Sequence, residues 1–142
     1  MAVERTLCII KPDAVEKRKA GAVLQRIEEG GFRVLALRML ALPRPVAESF
    51  YEVHRQRPFF AELVQFMTRS PVVVAVLERE DAVAAWRDLM GATDPAKAGP
   101  GTVRKQFGTN VGENATHGSD SLENAKREIA FFFAASEVAP AA

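Results

Sequence analysis

Asn114-Ala-Thr-His117-Gly-Ser-Asp120 concentrates more chemistry than any other stretch of the chain. It holds one of only two histidines, set among small residues that leave room around the ring, with hydroxyl and carboxylate groups following at once. An imidazole titrates at about pH 6.5 in an unperturbed peptide, so at pH 7 much of it is neutral and able to act as a nucleophile or an acid/base. The stretch closes a Gly-rich segment that contains Arg104 and Lys105. Guanidinium forks match phosphate geometry, which makes His117 a candidate phosphoryl acceptor. Ser119 and Glu128 could each hydrogen-bond one ring nitrogen and free the other for attack, since a ring partner selects the tautomer. His54, in Tyr51-Glu-Val-His-Arg55, reads instead as a packed structural histidine.

Lys11, Arg87 and Arg104 are cations that could reach a pocket from a strand end, a helix edge and a loop. Taken singly, each reads as a solvated surface charge. The Gly-rich loop beside Arg104 and His117 favours a shared anion site. Asn114 and Thr93 can add uncharged hydrogen bonds to a sugar or a phosphate. Phe59 follows Pro58 where a helix should begin: it reads as a core aromatic or, from its place at the helix start, as an exposed stacking platform, whereas Phe66 falls on a buried stripe. Stacking a base on an aromatic ring contributes about 1–3 kcal/mol and tolerates any base. No G-x-x-x-x-G-K-[ST] loop is present, nor a Cys/His cluster with zinc spacing, nor an Arg before His117-Gly118 of the kind histidine phosphatases use. Gly99-Pro-Gly101-Thr-Val-Arg104 begins like a dinucleotide fingerprint, but it puts Arg at the last glycine position and opens no βαβ unit.

The elements that must position these groups are legible in outline. Thr6-Leu-Cys-Ile-Ile10 predicts a buried strand ended by Pro12, so Lys11 and Asp13 stand at its mouth. Residues 20–29 predict a helix with Val23, Leu24 and Ile27 inward, stopped by Gly30-Gly31. Phe32 to Leu40 predicts a second strand, ended by Pro43 and Pro45. Val46 to Val53 predicts a helix, and Phe59, Leu63, Phe66 and Met67 another, broken by Pro71. Val72 to Leu77 is a β-branched buried strand, and Val83, Trp86 and Met90 give the next helix one apolar face with Arg87 at its edge. Residues 91–119 hold six of the nine glycines, with Pro95 and Pro100, and a loop this long in a compact domain is usually functional. Asp120 reads as an N-cap with Glu123 three positions on, for a short helix to Arg127. Ile129 to Phe133 fits helix or strand by periodicity, and its aromatic content favours a strand. The order is that of an α+β domain of the split βαβ kind, with four antiparallel strands and helices on one face.

A chain of 142 residues suits one domain, residues 1–142, able to bury a real core. The net charge of +1 gives no whole-chain field toward nucleic acid or membrane, and the apolar run Val72 to Leu77 is far too short to span a bilayer. Cys8 is the one cysteine, so an internal disulfide is excluded, and a buried thiol in a reducing cytoplasm is the simplest reading. The start lacks the basic and apolar regions of a signal peptide, and a cytoplasmic location is expected.

Six stretches also fall together in order and spacing: Ile9-Ile-Lys-Pro-Asp13, Phe50-Tyr-Glu-Val-His54, Arg57-Pro-Phe-Phe60, Arg87-Asp-Leu-Met-Gly-Ala-Thr93, Pro100-Gly-Thr-Val-Arg104 and Asn114 to Asp120. In that pattern the chain resembles the nucleoside diphosphate kinases over essentially its whole length. The resemblance implies a ferredoxin-like α/β sandwich, a four-stranded antiparallel sheet in βαββαβ order, with Ile129 to Phe133 as the last strand. It implies ping-pong transfer of a γ-phosphate from a nucleoside triphosphate, typically ATP, through phosphorylated His117 to a nucleoside diphosphate such as GDP. It assigns phosphate and sugar binding to Lys11, sugar binding to Asn114, and phosphate binding to Arg87, Thr93 and Arg104. Tyr51 lies close to the transferring group, Phe59 stacks on the base with Leu63 behind it, and Glu128 with Ser119 orients His117. The implied cofactor is Mg2+, held mainly by nucleotide phosphates rather than by a protein cage, in keeping with its reluctance to shed water.

The resemblance also implies a homo-oligomer, a tetramer being expected from the short tail after Phe133 and a hexamer being the other common state. No membrane and no nucleic acid is required. Lys105-Gln106, Trp86 and Arg79 depart from the pattern, and Gln106 bears on loop anchoring. Two rival functions remain: a non-catalytic nucleotide-binding regulator on the same scaffold, and an RNA-binding module. The latter lacks an aromatic-rich RNP-type strand and any support from net charge.

Overall fold

The computed structural model describes residues 2–139. β1 (Val3–Ile10) grows out of the run Leu7-Cys-Ile-Ile10 and stops where Pro12, lacking an N–H, opens α1 (Pro12–Glu16) at its first position. α2 (Ala20–Glu29) buries Val23 and Ile27, and β2 (Arg33–Leu40) follows. Pro43 and Pro45 end the strand side of the chain and start α3 (Arg44–Phe50), so the helix expected over 46–53 is displaced toward its prolines. Residues 52–54 form a separate 3-10 turn. α4 (Phe60–Met67), β3 (Val72–Glu80) and α5 (Ala82–Met90) come next. The Gly-rich segment contains more order than its composition promised, with a 3-10 turn at Pro95–Lys97 and α6 (Val103–Phe107) capped by the Thr102 hydroxyl. β4 (Thr116–Gly118) and α7 (Leu122–Phe132) complete the core of the fold.

The strands form one antiparallel sheet in the order β2-β3-β1-β4. Successive side chains of a strand point to opposite faces. Cys8, Ile10, Val73, Ala75 and Leu77 therefore join one core, beneath the crossover helices α2 and α5. Leu7, Ile9, Val72, Val74 and Val76 join another, covered by α3, α4 and α7. The expectation of helices on one face is corrected here: both faces of β1 and β3 are apolar, and each requires a cover. Each fully buried aliphatic side chain contributes about 1.5–3 kcal/mol, so neither face could be left to water.

The end of the chain brings the largest revision. Ile129 to Phe133 does not form the last strand, because α7 runs on to Phe132. Ala125, Ile129 and Phe132 continue a helical stripe against β1, and that stripe overrides the strand preference of the aromatics. The fourth strand is Thr116–Gly118, the segment that carries His117. Ser121, rather than Asp120, caps α7, its hydroxyl accepting the Asn124 amide at 3.1 Å. Asp120 instead accepts from the Asn124 side chain at 2.5 Å. Beyond the helix, Ala139 N–H donates to Leu35 O at 2.9 Å, laying the tail along β2.

Candidate active site

β4 and α7 bring the histidine and its carboxylate together. His117 stands at the middle of β4, opposite Ile9, and Ser119 follows two residues later on the same side of the chain. Glu128 is buried on the facing turn of α7. His117 Nε2 lies 2.8 Å from Glu128 Oε1. An ionised carboxylate only accepts, so Nε2 carries the hydrogen and Nδ1 presents its lone pair. Ser119 Oγ donates to the same Oε1 at 2.8 Å and accepts from the Leu7 amide at 3.2 Å. Ser119 thus holds the carboxylate and not a ring nitrogen, which corrects the reading that it and Glu128 would each take one.

Three aromatic neighbours complete the mounting. Phe50 sets its ring edge-on to the imidazole, with centroids 5.6 Å apart. Tyr51 packs against Phe50 at 4.9 Å, and burial first, then the Glu128 charge, push its hydroxyl well above the usual phenol range. Trp86, fully buried, donates its indole N–H to the His117 carbonyl at 3.1 Å. A Cβ on Gly118 would come within 2.6 Å of Trp86 and Met90, so only glycine lets β4 lie this close to α5. Phe50 and the contact from Trp86 were not found from sequence. Apolar residues in distant helices carry no local mark of which backbone they will touch.

The cations assemble on the loop side. Lys11 Nζ donates to Asn114 Oδ1 at 2.9 Å, and Asn114 Nδ2 donates to Thr93 O at 3.0 Å. Burial first, then the Arg104 charge, lower the Lys11 pKa to about 8, against an opposing pull from Asp13. The Arg104 guanidinium donates to three carbonyls, those of Gly91 at 3.0 Å, Thr116 at 2.9 Å and Asn114 at 3.3 Å. Five N–H groups are available, so two remain for a ligand. Burial, and then Arg87, bring the Arg104 pKa down to about 10, which leaves it charged at neutral pH. Arg87, Asp88, Thr93 and Arg104 line an open cleft of about 320 Å³. Among the described residues none of Lys11, Arg87 and Arg104 has an ion-pair partner.

The chain from residue 4 to 138 matches the family model for nucleoside diphosphate kinase. It belongs to the nucleoside diphosphate kinase family. A nucleoside diphosphate kinase of Sorangium cellulosum is 62% identical over all of this chain and 99% of its own length. Another, from Methylobacterium radiotolerans, is 58% identical over 98% of this chain and 99% of its own. The crystal structure of the Aquifex aeolicus nucleoside diphosphate kinase superposes with a TM-score of 0.94 at 51% identity, covering 96% of this chain and 99% of that one. That of the Halobacterium salinarum enzyme, in complex with CDP, gives 0.94 at 37% identity over 99% and 94%. The resemblance read from six short stretches is therefore shown over the whole chain, and with it the ferredoxin-like α+β fold.

Phe59 begins the α4 region and is 47% exposed, with Leu63 one turn on and partly buried. It is joined to the histidine by rings in series, Phe59 to His54 at 5.4 Å, His54 to Tyr51 at 6.3 Å, and Tyr51 to Phe50. His54 is packed between aromatics, as its sequence context implied. Gln106 does anchor the loop, accepting from Arg26 of α2 at 2.5 Å, while the same guanidinium donates to Gly101 O. Among the described residues no helix is long and apolar enough to cross a membrane, and no three His, Cys, Asp or Glu side chains cluster to hold a metal ion.

Proposed function

We propose that this nucleoside diphosphate kinase passes the γ-phosphate from one nucleotide to another through His117, within a single domain spanning residues 1–142. The observation that carries the reading is an imidazole fixed by Glu128 on the strand whose Thr116 carbonyl receives Arg104, a cation without an ion-pair partner among the described residues. The Nδ1 lone pair attacks the γ-phosphorus of a nucleoside triphosphate. The bond from that phosphorus to the bridging oxygen breaks, and the nucleoside diphosphate leaves with the electron pair. The second diphosphate then enters the same site, and its terminal oxygen takes the phosphoryl group back from His117. Glu128 stabilises the imidazole as charge builds on the ring, and Ser119 steadies Glu128. Little covalent work falls to the other residues, which position the phosphates and neutralise their charge.

Arg87, Thr93 and Arg104 hold the phosphates, Lys11 a phosphate and a sugar hydroxyl, Asn114 the sugar, and Tyr51 lies close to the group in flight. The base rests on Phe59 with Leu63 behind it, so the site tolerates any base, ATP and GDP included. The CDP in the Halobacterium salinarum structure supports a nucleoside diphosphate as ligand of such a site. Mg2+ arrives with the nucleotide as part of the substrate, since the cationic cleft suits a polyphosphate better than a bare cation. The protein acts in the cytoplasm as a homo-oligomer, a tetramer rather than a hexamer. Support for assembly comes from β2, which borders the sheet and exposes Leu37 and Met39.

The test is incubation with γ-labelled ATP and magnesium, followed by a chase with unlabelled GDP. The expected result is label on the protein, lost in acid but kept in base, and then found in GTP. His117→Ala abolishes it while leaving ADP binding and the fold in place. A folded protein that binds ADP and never takes label would be a nucleotide-binding regulator instead.

A further inference from the structure

Asp13 has no part in the transfer described above, yet its carboxylate is only 1% exposed. One oxygen, Oδ2, accepts the Ala115 amide at 3.0 Å. The Lys11 amide, two residues back, donates to the Ala115 carbonyl at 2.8 Å. Lys11-Pro-Asp13 therefore holds both backbone polar groups of Ala115, and the fixed ring of Pro12 stiffens the connection between the two ends of the hold. Ala115 needs holding: its φ is +73°, a left-handed conformation that a residue with a Cβ seldom adopts. On one side of this turn the Asn114 amide receives Lys11 Nζ and reaches Thr93. On the other, Thr116 enters the sheet and its carbonyl receives Arg104. The second oxygen of Asp13 is buried with no hydrogen-bond partner among the described residues. The Lys11 and Lys17 charges and the first turn of α1 ease the burial of this carboxylate, and the long-range hydrogen bond it makes goes to the left-handed turn at Ala115.

We propose that Asp13 is a positioning residue for nucleotide binding, holding Ala115 in its left-handed turn so that Asn114 meets Lys11 in the binding geometry. The inference rests on the reading of Lys11 and Asn114 as nucleotide contacts. His117 is placed independently, by pairing of β4 with β1 and by Glu128, so losing Asp13 weakens binding far more than it slows transfer.

The experiment compares Asp13→Ala, Asp13→Asn and the double variant Asp13→Ala/Ala115→Gly with the wild type. Readouts are the ADP dissociation constant, KM and kcat, the melting temperature, and hydrogen exchange at the residue 115 amide. Asp13→Ala is expected to speed exchange there and to raise the ADP Kd and KM by about tenfold, with kcat changed by less than about threefold. Asp13→Asn keeps an acceptor and recovers most of the affinity. Glycine at 115 adopts the turn without a Cβ penalty and recovers part of it.

An unchanged ADP Kd in folded Asp13→Ala overturns the proposal. So does a parallel loss of kcat, affinity and melting temperature that asparagine does not relieve, because that pattern marks a packing residue. Should Asp13→Ala fail to fold, Asp13→Ser, whose oxygen falls short of the Ala115 amide, takes its place: exchange at Ala115 and the ADP Kd must rise together, and a rise in one alone or in neither overturns the idea. Failure of the wild type to take label from ATP would count against the transfer reading, while the ADP and exchange measurements would still report on Asp13.

Discussion

In the proposed mechanism His117 and Arg104 serve one site, and they are held in place by opposite means. His117 is mounted on regular structure: its strand pairs with β1, its ring meets a carboxylate from the facing helix, and its carbonyl receives Trp86. Arg104 sits on the short helix α6 within the Gly-rich segment, and its three donors reach out to the carbonyls of Gly91, Asn114 and Thr116. The histidine depends on the fold, whereas the loop depends on the arginine. A sheet can present a nucleophile without help from it. The Gly-rich segment lends Val103, Phe107 and Ala115 to the core beneath α2 and α5, and the buried Arg104 cation adds cross-links between the stretches that α6 does not order.

This contrast can be broken most sharply at Arg104. Arg104→Ala leaves three carbonyls without their charged donor, and hydrogen bonds to charged groups contribute about 1.5–3 kcal/mol each. The expected outcome is a stability loss of about 3 kcal/mol together with a fall in transfer of at least about 100-fold, read by chemical denaturation and a coupled kinetic assay. Wild-type stability in that variant would show that the loop holds itself. The opposite signature is expected at Glu128. Glu128→Gln keeps the shape and removes the charge, and kcat should fall by about 10- to 100-fold while ADP affinity and melting temperature stay near wild type. A loss of affinity equal to the loss of kcat would mean that the two halves are not separable.

The smallest effect sharpens the comparison through pH. Lys11 titrates at about 8 in the folded protein, below its ordinary value, chiefly because it is desolvated. Between about pH 8 and the usual lysine range near 10.4 the unfolded chain binds more protons than the native one, so this group's contribution to stability rises with pH across that window. Below about pH 8 the charge is present in both states and its burial costs the fold. Nucleotide affinity runs the other way, because a neutral amine attracts phosphate poorly. ADP binding is expected to weaken by up to about tenfold from pH 7 to 9.5 by titration calorimetry, while Lys11→Arg flattens the profile.

Legibility in the sequence followed the same division. Strong periodicity identified α2 over residues 20–29 to the residue, and the β-branched run from Val72 identified β3. It failed at Ile129 to Phe133, where aromatic content argued for a strand and a continuous stripe with Ala125 made a helix. Among candidate site residues, His117, Glu128, Lys11, Asn114, Thr93, Arg87 and Arg104 are brought into two adjoining groups, and Ser119 joins them in a different role from the one read off its spacing. Phe59 is exposed, the second of the two readings its place at a helix start allowed. Phe50, Trp86 and Asp13 stood in stretches that the sequence marked, but their contacts were not legible there, since each is made with a residue remote in the chain.

Residue types alone set the chemistry on offer: which side chains can attack, neutralise or stack, and the six motifs that place the chain in its family. Residue type and spacing are enough for that, because acidity, charge and ring shape belong to side chains before they fold. Folding settled which strand carries the histidine, which carboxylate oxygen accepts the hydrogen bond from its ring, and which backbone groups Arg104 and Asp13 hold. Those depend on the register of β4 against β1 and on a left-handed turn at Ala115, both fixed by long-range hydrogen bonds that no local pattern encodes.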